Sequence, residues 1–281
     1  MSSILTNNSA MVALQTLKSI NSDLAKTQNA ISTGKDVATA KDASAVWAIS
    51  KVMESDVAGF NAVSDALSLG ESTVAVASAA AEQVVDVLQE IKQLAISANS
   101  ENVDFAKIQN DIAERAAQVG SIISAAQFNG ANLLATDVDG NGATSLSIVS
   151  SLDRVGSGAP TAATISVDTV DFEANIDLAS NLTAITDTTT AATALGEIET
   201  FLQTAIDGAA ALGASAERIQ DQNVFVSKLS DAMTAGIGSL VDADMESASA
   251  KLQALQTQQQ LGVQALSIAN QAPQTILSLF R

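Results

Sequence analysis

The chain has 281 residues, a formal net charge of −18, and 47% hydrophobic but only 3% aromatic residues. This acidic balance argues against a nucleic-acid partner, because nucleic acid selects Lys and Arg on one face. The sequence contains no Cys and no His, which removes disulfides, thiolate chemistry and the commonest general base and metal ligand. We therefore expect no enzyme activity, no cofactor and no metal site.

The first 33 residues predict an amphipathic helix, because large apolar residues recur at heptad spacing. Gly34 is expected to end this helix in the left-handed conformation, and residues 34–42 are expected to form a linker. Helix should resume near Ala43, with a break at Gly59. The predicted seam of the first helix comprises Leu14, Leu17, Leu24 and Ile31, interrupted by Asn21 and Gln28.

Two further helices are predicted before residue 130. The second predicted helix carries an unbroken heptad stripe, and the third ends in the turn Phe128-Asn129-Gly130. Such stripes are typical of helices that pack lengthwise on other helices. The stripe of the second helix is Gly70, Val74, Ala77, Ala81, Val84, Leu88, Ile91, Ala95 and Ala98; that of the third is Phe105, Ile108, Ile112, Arg115, Val119, Ile122 and Ala126.

The middle of the chain, residues 131–190, changes to short alternations such as Thr164-Ile165-Ser166-Val167-Asp168, which predict a β-hairpin. Between Ala135 and Ser215 there are eleven acidic residues and one basic residue, so more than half of the net charge lies here. The run from Asp137 to Gly142 begins like a calcium loop, but its twelfth position is Ile148 rather than Glu. An Asp/Asn-Gly turn explains this run better.

Helix is expected again from about Thr190, with a second break at Gly236 and Gly238 before the last forty residues. No charged residue occurs between Leu252 and Phe280, yet no window of about eighteen apolar residues is evident, and the tail is rich in Gln and Asn. These amides favour a helix packed among helices over membrane insertion. The predicted tail seam is Met245, Ala248, Leu252, Leu255, Gln259, Gly262, Leu266 and Ala269.

These patterns predict a mainly α fold, a long coiled-coil-like bundle folded back on itself with a small β-hairpin insert in the middle of the chain. Residues 1–42 with 242–281 form a predicted terminal-tail domain, and residues 43–130 with 191–241 a long-helix domain. Residues 131–190 form the predicted β-rich surface insert. Pairing the two tails alone leaves apolar surface exposed, so we expect neighbouring molecules to cover it, and folding to be coupled to assembly.

Several long motifs resemble those of bacterial flagellins. At the N-terminus these are ILTNNSAMVALQTL, AISTG, KDVATAKDASA and QFNGANLL; the C-terminus matches over SLVDADMESASAKLQALQTQQQLGVQALSIANQAPQTILSLF. The resemblance covers residues 1–134 and 195–281. It implies a structural subunit that polymerises with itself into the extracellular helical flagellar filament, which serves swimming motility.

The resemblance also implies partners and a route of secretion. Flagellins leave the cell through the flagellar type III export apparatus, an export chaperone covers the C-terminal tail, and the filament meets a cap and hook-junction proteins. The tails are implied to form the polymerisation interface. The residues that we assign to this interface are Leu14, Leu17, Leu24, Ile31, Leu252, Leu255, Leu266, Ile268 and Phe280.

One position departs from many flagellins. Glu90 stands where they carry an Arg that an innate immune receptor contacts. Because charge reversal at a contact usually weakens binding, we predict weak receptor activation, with Gln89, Glu90 and Leu94 on the relevant face. A solvated helix face without immune meaning is the alternative.

Two other classes of protein share part of these features. A hook–filament junction protein has similar terminal patterns, but is usually longer in the middle and less faithful to the ISTG and FNG motifs. A secreted coiled-coil adhesin would explain the heptads without the long terminal motifs.

Overall fold

The computed structural model describes residues 7–154 and 158–278, with side chains described up to residue 271. It is mainly α with a small antiparallel strand insert, as the sequence predicts. The elements are α1 (Asn8–Thr33), α2 (Ser44–Ser97), α3 (Phe105–Ala125), β1 (Gln127–Phe128), β2 (Ala131–Asn132), β3 (Ser145–Asp153), β4 (Thr161–Asp168), α4 (Phe172–Asn175), α5 (Leu178–Asn181), α6 (Thr188–Val241) and α7 (Met245–Ser278).

The chain divides into two compact units. The first unit contains the described residues up to Val57 together with those from Ala232 onward, and the second contains Ala58–Asp231. The second unit holds most of the buried side chains. Every residue of the predicted α2 stripe from Gly70 to Ala98 is buried, which confirms the heptad interpretation of this helix.

Gly59 does not break α2, contrary to the prediction. The helix continues through it because the missing side chain leaves a notch for the β-hairpin. A Cβ placed on Gly59 would lie inside the van der Waals radius of Leu152, and one on Gly70 would overlap Ile148. Both glycines thus seat side chains of β3 on α2, and the close packing outweighs the poor helix propensity of glycine.

Gly236 and Gly238 do not break α6 either, since this helix continues to Val241. A Cβ on Gly236 would come 3.4 Å from Cε of Met53, an ordinary contact.

A second correction concerns hydropathy: among the described residues, α6 is long and apolar enough by length and composition to span a membrane. Only 17% of that apolar window is buried within the chain.

The hairpin of β3 and β4 is antiparallel, pairs Ser145 with Asp168 at one end, and has a bulge between Val149 and Ser151. The bulge residue Ser150 is buried, and its carbonyl oxygen accepts a hydrogen bond of 2.9 Å from Nε2 of Gln222 on α6. The hairpin is thereby attached to α6 as well as α2. The shorter hairpin of β1 and β2 turns at Asn129-Gly130, both with positive φ, as the predicted turn requires.

The two short helices α4 and α5 were not predicted. Each begins after an aspartate whose carboxylate accepts backbone N–H groups: Asp171 from Ala174, and Asp177 from Ala179 and Ser180. Hydrogen bonds from the side chain and backbone of Ser180 lower the pKa of Asp177 below its ordinary value. The sequence signal was present as the repeated pattern DFEAN and DLASN, an Asp cap followed by an apolar residue and a closing Asn.

The linker prediction for residues 34–42 is confirmed, and the structure shows what the linker does. Gly34 adopts φ +70 as the predicted C-cap of α1. The N–H of Asp36 donates to the carbonyl oxygen of Val241 at 2.8 Å, and the N–H of Ala243 donates to that of Gly34 at 2.9 Å. These bonds join the end of α1 to the junction between α6 and α7, so α1 ends close to where α7 begins.

A small ion network supports this junction in the first unit. Glu54 of α2 contacts Nζ of Lys51 at 2.5 Å and Nζ of Lys35 at 3.7 Å. The hydrogen bond from Lys51 and the charges of both lysines hold the pKa of Glu54 below its ordinary value. Because all three side chains are partly exposed, the network orients the linker more than it stabilises the fold.

Candidate assembly surfaces

Helices α1 and α7 pack against each other along most of their described length. The half-buried and buried positions of α1 recur in steps of three and four, which is the spacing of a coiled-coil seam. Leu17, Leu24 and Ile31 lie on this seam as predicted, but Leu14 does not, since its side chain is 58% exposed. The observed seam of α1 is Ala10, Ala13, Leu17, Ile20, Leu24, Thr27 and Ile31.

The sequence placed Asn21 and Gln28 on the seam of α1, and both are exposed. Steps of three and four residues that start at Ala10 lead to Ile20 and Thr27. The seam therefore passes beside the two amide residues and is not interrupted by them. Thr27 lies buried in the seam, and its hydroxyl is satisfied there because it donates to the carbonyl oxygen of Asp23 at 2.9 Å. Ala10 and Ala13 are too small to stand out as seam residues in the sequence, although both are half-buried here.

The seam of α7 follows the prediction closely. Leu255 is buried, and the other predicted positions from Ala248 to Ala269 are half-buried; only Met245 is exposed. Gly262 forms a notch here, since a Cβ on it would come 3.1 Å from Cδ1 of Leu17. The glycine therefore lets α1 and α7 approach closely.

Side-chain amides fix the register of the tail pair. Nδ2 of Asn7 donates to the carbonyl oxygen of Ala269 at 2.7 Å, and Nε2 of Gln259 donates to Oδ1 of Asn21 at 2.7 Å. The predicted role of the C-terminal amides in pairing between helices is thus seen at Gln259, whereas the bond from Asn7 was not predicted. Since amides match only in one alignment, these bonds favour the observed register over a slipped one.

Each terminal helix exposes a second set of large apolar side chains away from the seam. Their exposed fractions are between 54% and 70%. In a soluble chain a set of this size commonly marks a surface that another molecule covers. These residues are Met11, Val12 and Leu14 on α1, and Leu261, Val263 and Ile268 on α7.

The predicted interface residues therefore fall into two groups. Leu255 is buried within the chain, whereas Leu14 and Ile268 lie on the exposed face. The predicted residue Phe280 lies outside the described residues. Leu17, Leu24, Ile31, Leu252 and Leu266 are half-buried in the seam between α1 and α7.

The predicted receptor face lies on α2 within the second unit. Gln89 and Glu90 are exposed and Leu94 is half-buried. The carboxylate of Glu90 forms an ion pair with the guanidinium of Arg115 on α3. A contact made by Glu90 to another protein would compete with this pair, a feature that the sequence did not reveal.

The calcium-like run forms a turn. Oδ1 of Asp139 accepts from the N–H of Asn141 at 2.9 Å, and Gly140 and Gly142 both have positive φ. Hydrogen bonds from the backbone, chiefly that of Asn141, lower the pKa of Asp139. The carboxylate is therefore engaged by the turn itself, and no cluster of three potential metal ligands occurs among the described residues.

Comparison with known protein families identifies the family of the chain that carries these surfaces. Residues 4–139 match the bacterial flagellin N-terminal helical region, and residues 195–280 match the bacterial flagellin C-terminal helical region. The chain belongs to the bacterial flagellin family. It is therefore a structural subunit of the extracellular flagellar filament, as the sequence motifs predict.

Individual relatives agree over the whole length of this flagellin. It is 44% identical to a flagellin of Brucella melitensis, with 100% of both chains covered. It is 42% identical to flagellin FljK of Caulobacter vibrioides, covering 100% of this chain and 99% of the relative. A solved structure, the flagellin of Bacillus cereus, is 20% identical with a TM-score of 0.47, covering 58% of this chain and 87% of the other.

Proposed function

We propose that α1 and α7 are the polymerisation element of this flagellin, and that they become fully ordered only when neighbouring subunits cover their exposed faces. The observation that supports this is the second apolar face of the tail pair. Leu261 and Ile268 are 59% and 70% exposed, although the same helix buries Leu255 against α1. Burial of such side chains contributes about 2 kcal/mol each. Neighbouring subunits in a filament can therefore supply stabilisation that a single chain cannot.

The domain roles follow from this proposal. The terminal domain, residues 1–42 with 242–281, makes contacts between subunits, and the long-helix domain comprises residues 43–130 with 191–241. The insert, residues 131–190, faces outward, where its negative charge keeps filaments soluble. Contacts of this kind are heterologous and do not close into a ring, so they extend a helical polymer. The subunit has no chemistry of its own.

Partners that act before and during assembly follow as well. An apolar tail that is uncovered in the free subunit needs protection, which an export chaperone supplies before passage through the flagellar export apparatus. The filament cap and the hook-junction proteins meet the same surfaces at the two ends of the polymer. The relatives that match over the full length are named flagellins, which favours the filament subunit over a junction protein.

Seeded elongation tests the proposal. A chain lacking residues 252–281 should remain soluble and helical by circular dichroism, but should not lengthen flagellar seeds that the full chain lengthens. Hydrogen exchange provides the second readout: amides of α1 and α7 should exchange rapidly in the free subunit and slowly in the filament. Filaments formed by the shortened chain would refute the role of the tail.

The receptor face carries a separate proposal, that Glu90 weakens recognition by the innate immune receptor. Glu90→Arg should raise activation in a reporter-cell assay of the monomer, with Glu82→Arg as the matched exposed control on α2. Strong activation by the unmodified chain would overturn it.

A further inference from the structure

The sulfur atoms of this chain all belong to methionine, since the sequence contains five Met and no Cys. Four of these methionines lie among the described residues. Met11 on α1 is 60% exposed and Met245 at the start of α7 is 44% exposed, whereas Met53 and Met233 are half-buried. Among the described residues, Met11 is therefore the thioether that a dissolved oxidant reaches most readily.

Met11 belongs to the exposed apolar face of α1 and α7. Leu14 lies about one helical turn further along α1 on the same side of the helix, and is 58% exposed. Nδ2 of Asn7 donates to the carbonyl oxygen of Ala269, so the first turn of α1 lies beside the part of α7 that carries Ile268. Ile268 is 70% exposed. Met11 thus lies at the end of the helix pair where apolar side chains of both helices are uncovered.

The other exposed methionine occupies a different surface. Met245 lies about two helical turns before Leu252, in phase with the seam of α7. Leu261 and Ile268 lie on the opposite side of that helix. An oxygen atom added to Met245 would therefore not enter the exposed apolar face. The two methionines allow oxidation on this face to be separated from oxidation elsewhere on the same two helices.

Conversion of the Met11 thioether to a sulfoxide requires one equivalent of a peroxide, such as hydrogen peroxide. The sulfur attacks one peroxide oxygen, the O–O bond breaks and an S–O bond forms. The hydroxide that leaves takes up the proton of the transferred oxygen and becomes water. The sulfur loses two electrons and the peroxide gains them. The product is polar, whereas the thioether is apolar and adapts its shape to a neighbour.

We propose that Met11 is an oxidation site that controls the addition of subunits to the filament, because its sulfoxide form opposes burial of the exposed face by neighbouring subunits. This inference rests on the proposed function and adds to it a dependence on oxidants. The filament lies outside the cell, in an oxidising environment. Once a subunit is assembled, its neighbours shield Met11. Peroxide therefore stops growth and leaves existing filaments intact.

Peptide mass spectrometry after peroxide treatment measures where the oxygen atom is added. Free subunits should form the sulfoxide at Met11, and assembled filaments should form it at least about tenfold more slowly. Equal rates of Met11 oxidation in free subunits and in filaments would overturn the proposal, because neighbouring subunits would then not shield the thioether.

Seeded elongation measures the consequence of oxidation. Subunits fully oxidised at Met11 should leave a monomer concentration after elongation that is about tenfold higher than that of untreated subunits. Met11→Leu conserves apolar volume, so it should elongate seeds normally with or without peroxide. Met245→Leu is the matched control and should remain sensitive to peroxide. Loss of elongation by peroxide-treated Met11→Leu would contradict the proposal.

Enzymatic repair provides a readout that needs no substitution. Methionine sulfoxide is reduced by two reductases, one for each epimer at sulfur. Treatment of the oxidised unmodified chain with both enzymes should restore elongation in step with the return of the Met11 thioether. Full repair of Met11 without recovery of elongation would show that oxidation elsewhere causes the loss.

The possible outcomes separate the two proposals. If untreated subunits fail to elongate seeds, the proposed function fails. If untreated subunits elongate seeds and subunits oxidised at Met11 elongate them equally well, only the role of Met11 is wrong. Loss of elongation on oxidation, its recovery on repair and the resistance of Met11→Leu together establish the oxidation site.

Discussion

The two units of this flagellin differ in how far they bury their large apolar side chains. The second unit buries its large side chains internally: Leu67, Leu88, Leu133 and Phe172 are fully buried. In the first unit Leu255 is buried but Leu261 and Ile268 of the same helix are exposed. The difference teaches that similar heptad patterns can form a core within one chain or leave apolar side chains that the chain itself does not cover. Four predictions, from the largest expected effect to the smallest, test this difference between the units.

The largest effect is expected at Gly208 of α6 in the second unit. A Cβ there would overlap the ring of Phe172, which is fully buried, and come 3.3 Å from Cβ of Val170. Gly208→Ala should lower the free energy of unfolding by about 2 kcal/mol through overpacking. Gly196→Ala, with open space around it, should raise that free energy by up to about 1 kcal/mol through helix propensity. Urea unfolding of both variants checks the opposite signs.

The next effect is expected at Leu255, the buried position of the tail pair. Leu255→Asp places an unpaired charge in the seam between α1 and α7, which disfavours the pairing of the two helices. Seeded elongation should stop, while urea unfolding of the second unit should not change. Filament growth at the normal rate would show that the tail seam is not required for assembly.

A smaller effect, confined to assembly, is expected at Leu261 on the exposed face. Leu261→Gln should leave circular dichroism of the free subunit unchanged, because the side chain is 59% exposed there. The monomer concentration that remains after elongation should rise about tenfold if about 1.4 kcal/mol of burial between subunits is lost. Gln258→Ala, an exposed polar position of α7, is the control and should change neither quantity.

The smallest effect concerns pH and the start of α6. Asp187 accepts the N–H of Thr190 at 2.8 Å, and hydrogen bonds from the backbone and hydroxyl of Thr190 lower its pKa. A lowered pKa in the folded state contributes stability above the ordinary value of about 3.9, and this contribution is lost as pH falls through the folded value. Asp187→Asn keeps a capping oxygen without titrating. Its stability should therefore depend less on pH below about 4, measured by urea unfolding across pH.

The helices were predictable where periodicity is strong. The α2 stripe from Gly70 to Ala98 is buried as expected, because its small and branched residues repeat without interruption over four heptads. The seam of α7 was predictable for the same reason. In α1 the spacing was ambiguous, and preference for large residues shifted the assigned seam onto Leu14.

The errors concern glycine and short-range order. A glycine can end a helix or can make room for a neighbouring side chain, and the sequence alone does not separate these two roles. At Gly59 the second role applies because Leu152, 93 positions later in the chain, packs against it. The helices α4 and α5 are too short to show a period, so only their Asp caps could reveal them. The exposed Val224 and Phe225 of α6 and the groove between α3, α4 and α5 were missed because exposure depends on which face the rest of the chain covers.

The glycine notches also have a practical consequence. Gly59 and Gly70 receive Leu152 and Ile148, so α2 fixes the position of β3 through residues that precede the connection to β4. A peptide inserted between Asp153 and Thr161 leaves both contacts and the strand register in place. This connection is therefore a place where the chain can be lengthened without disturbing the seating of β3 on α2.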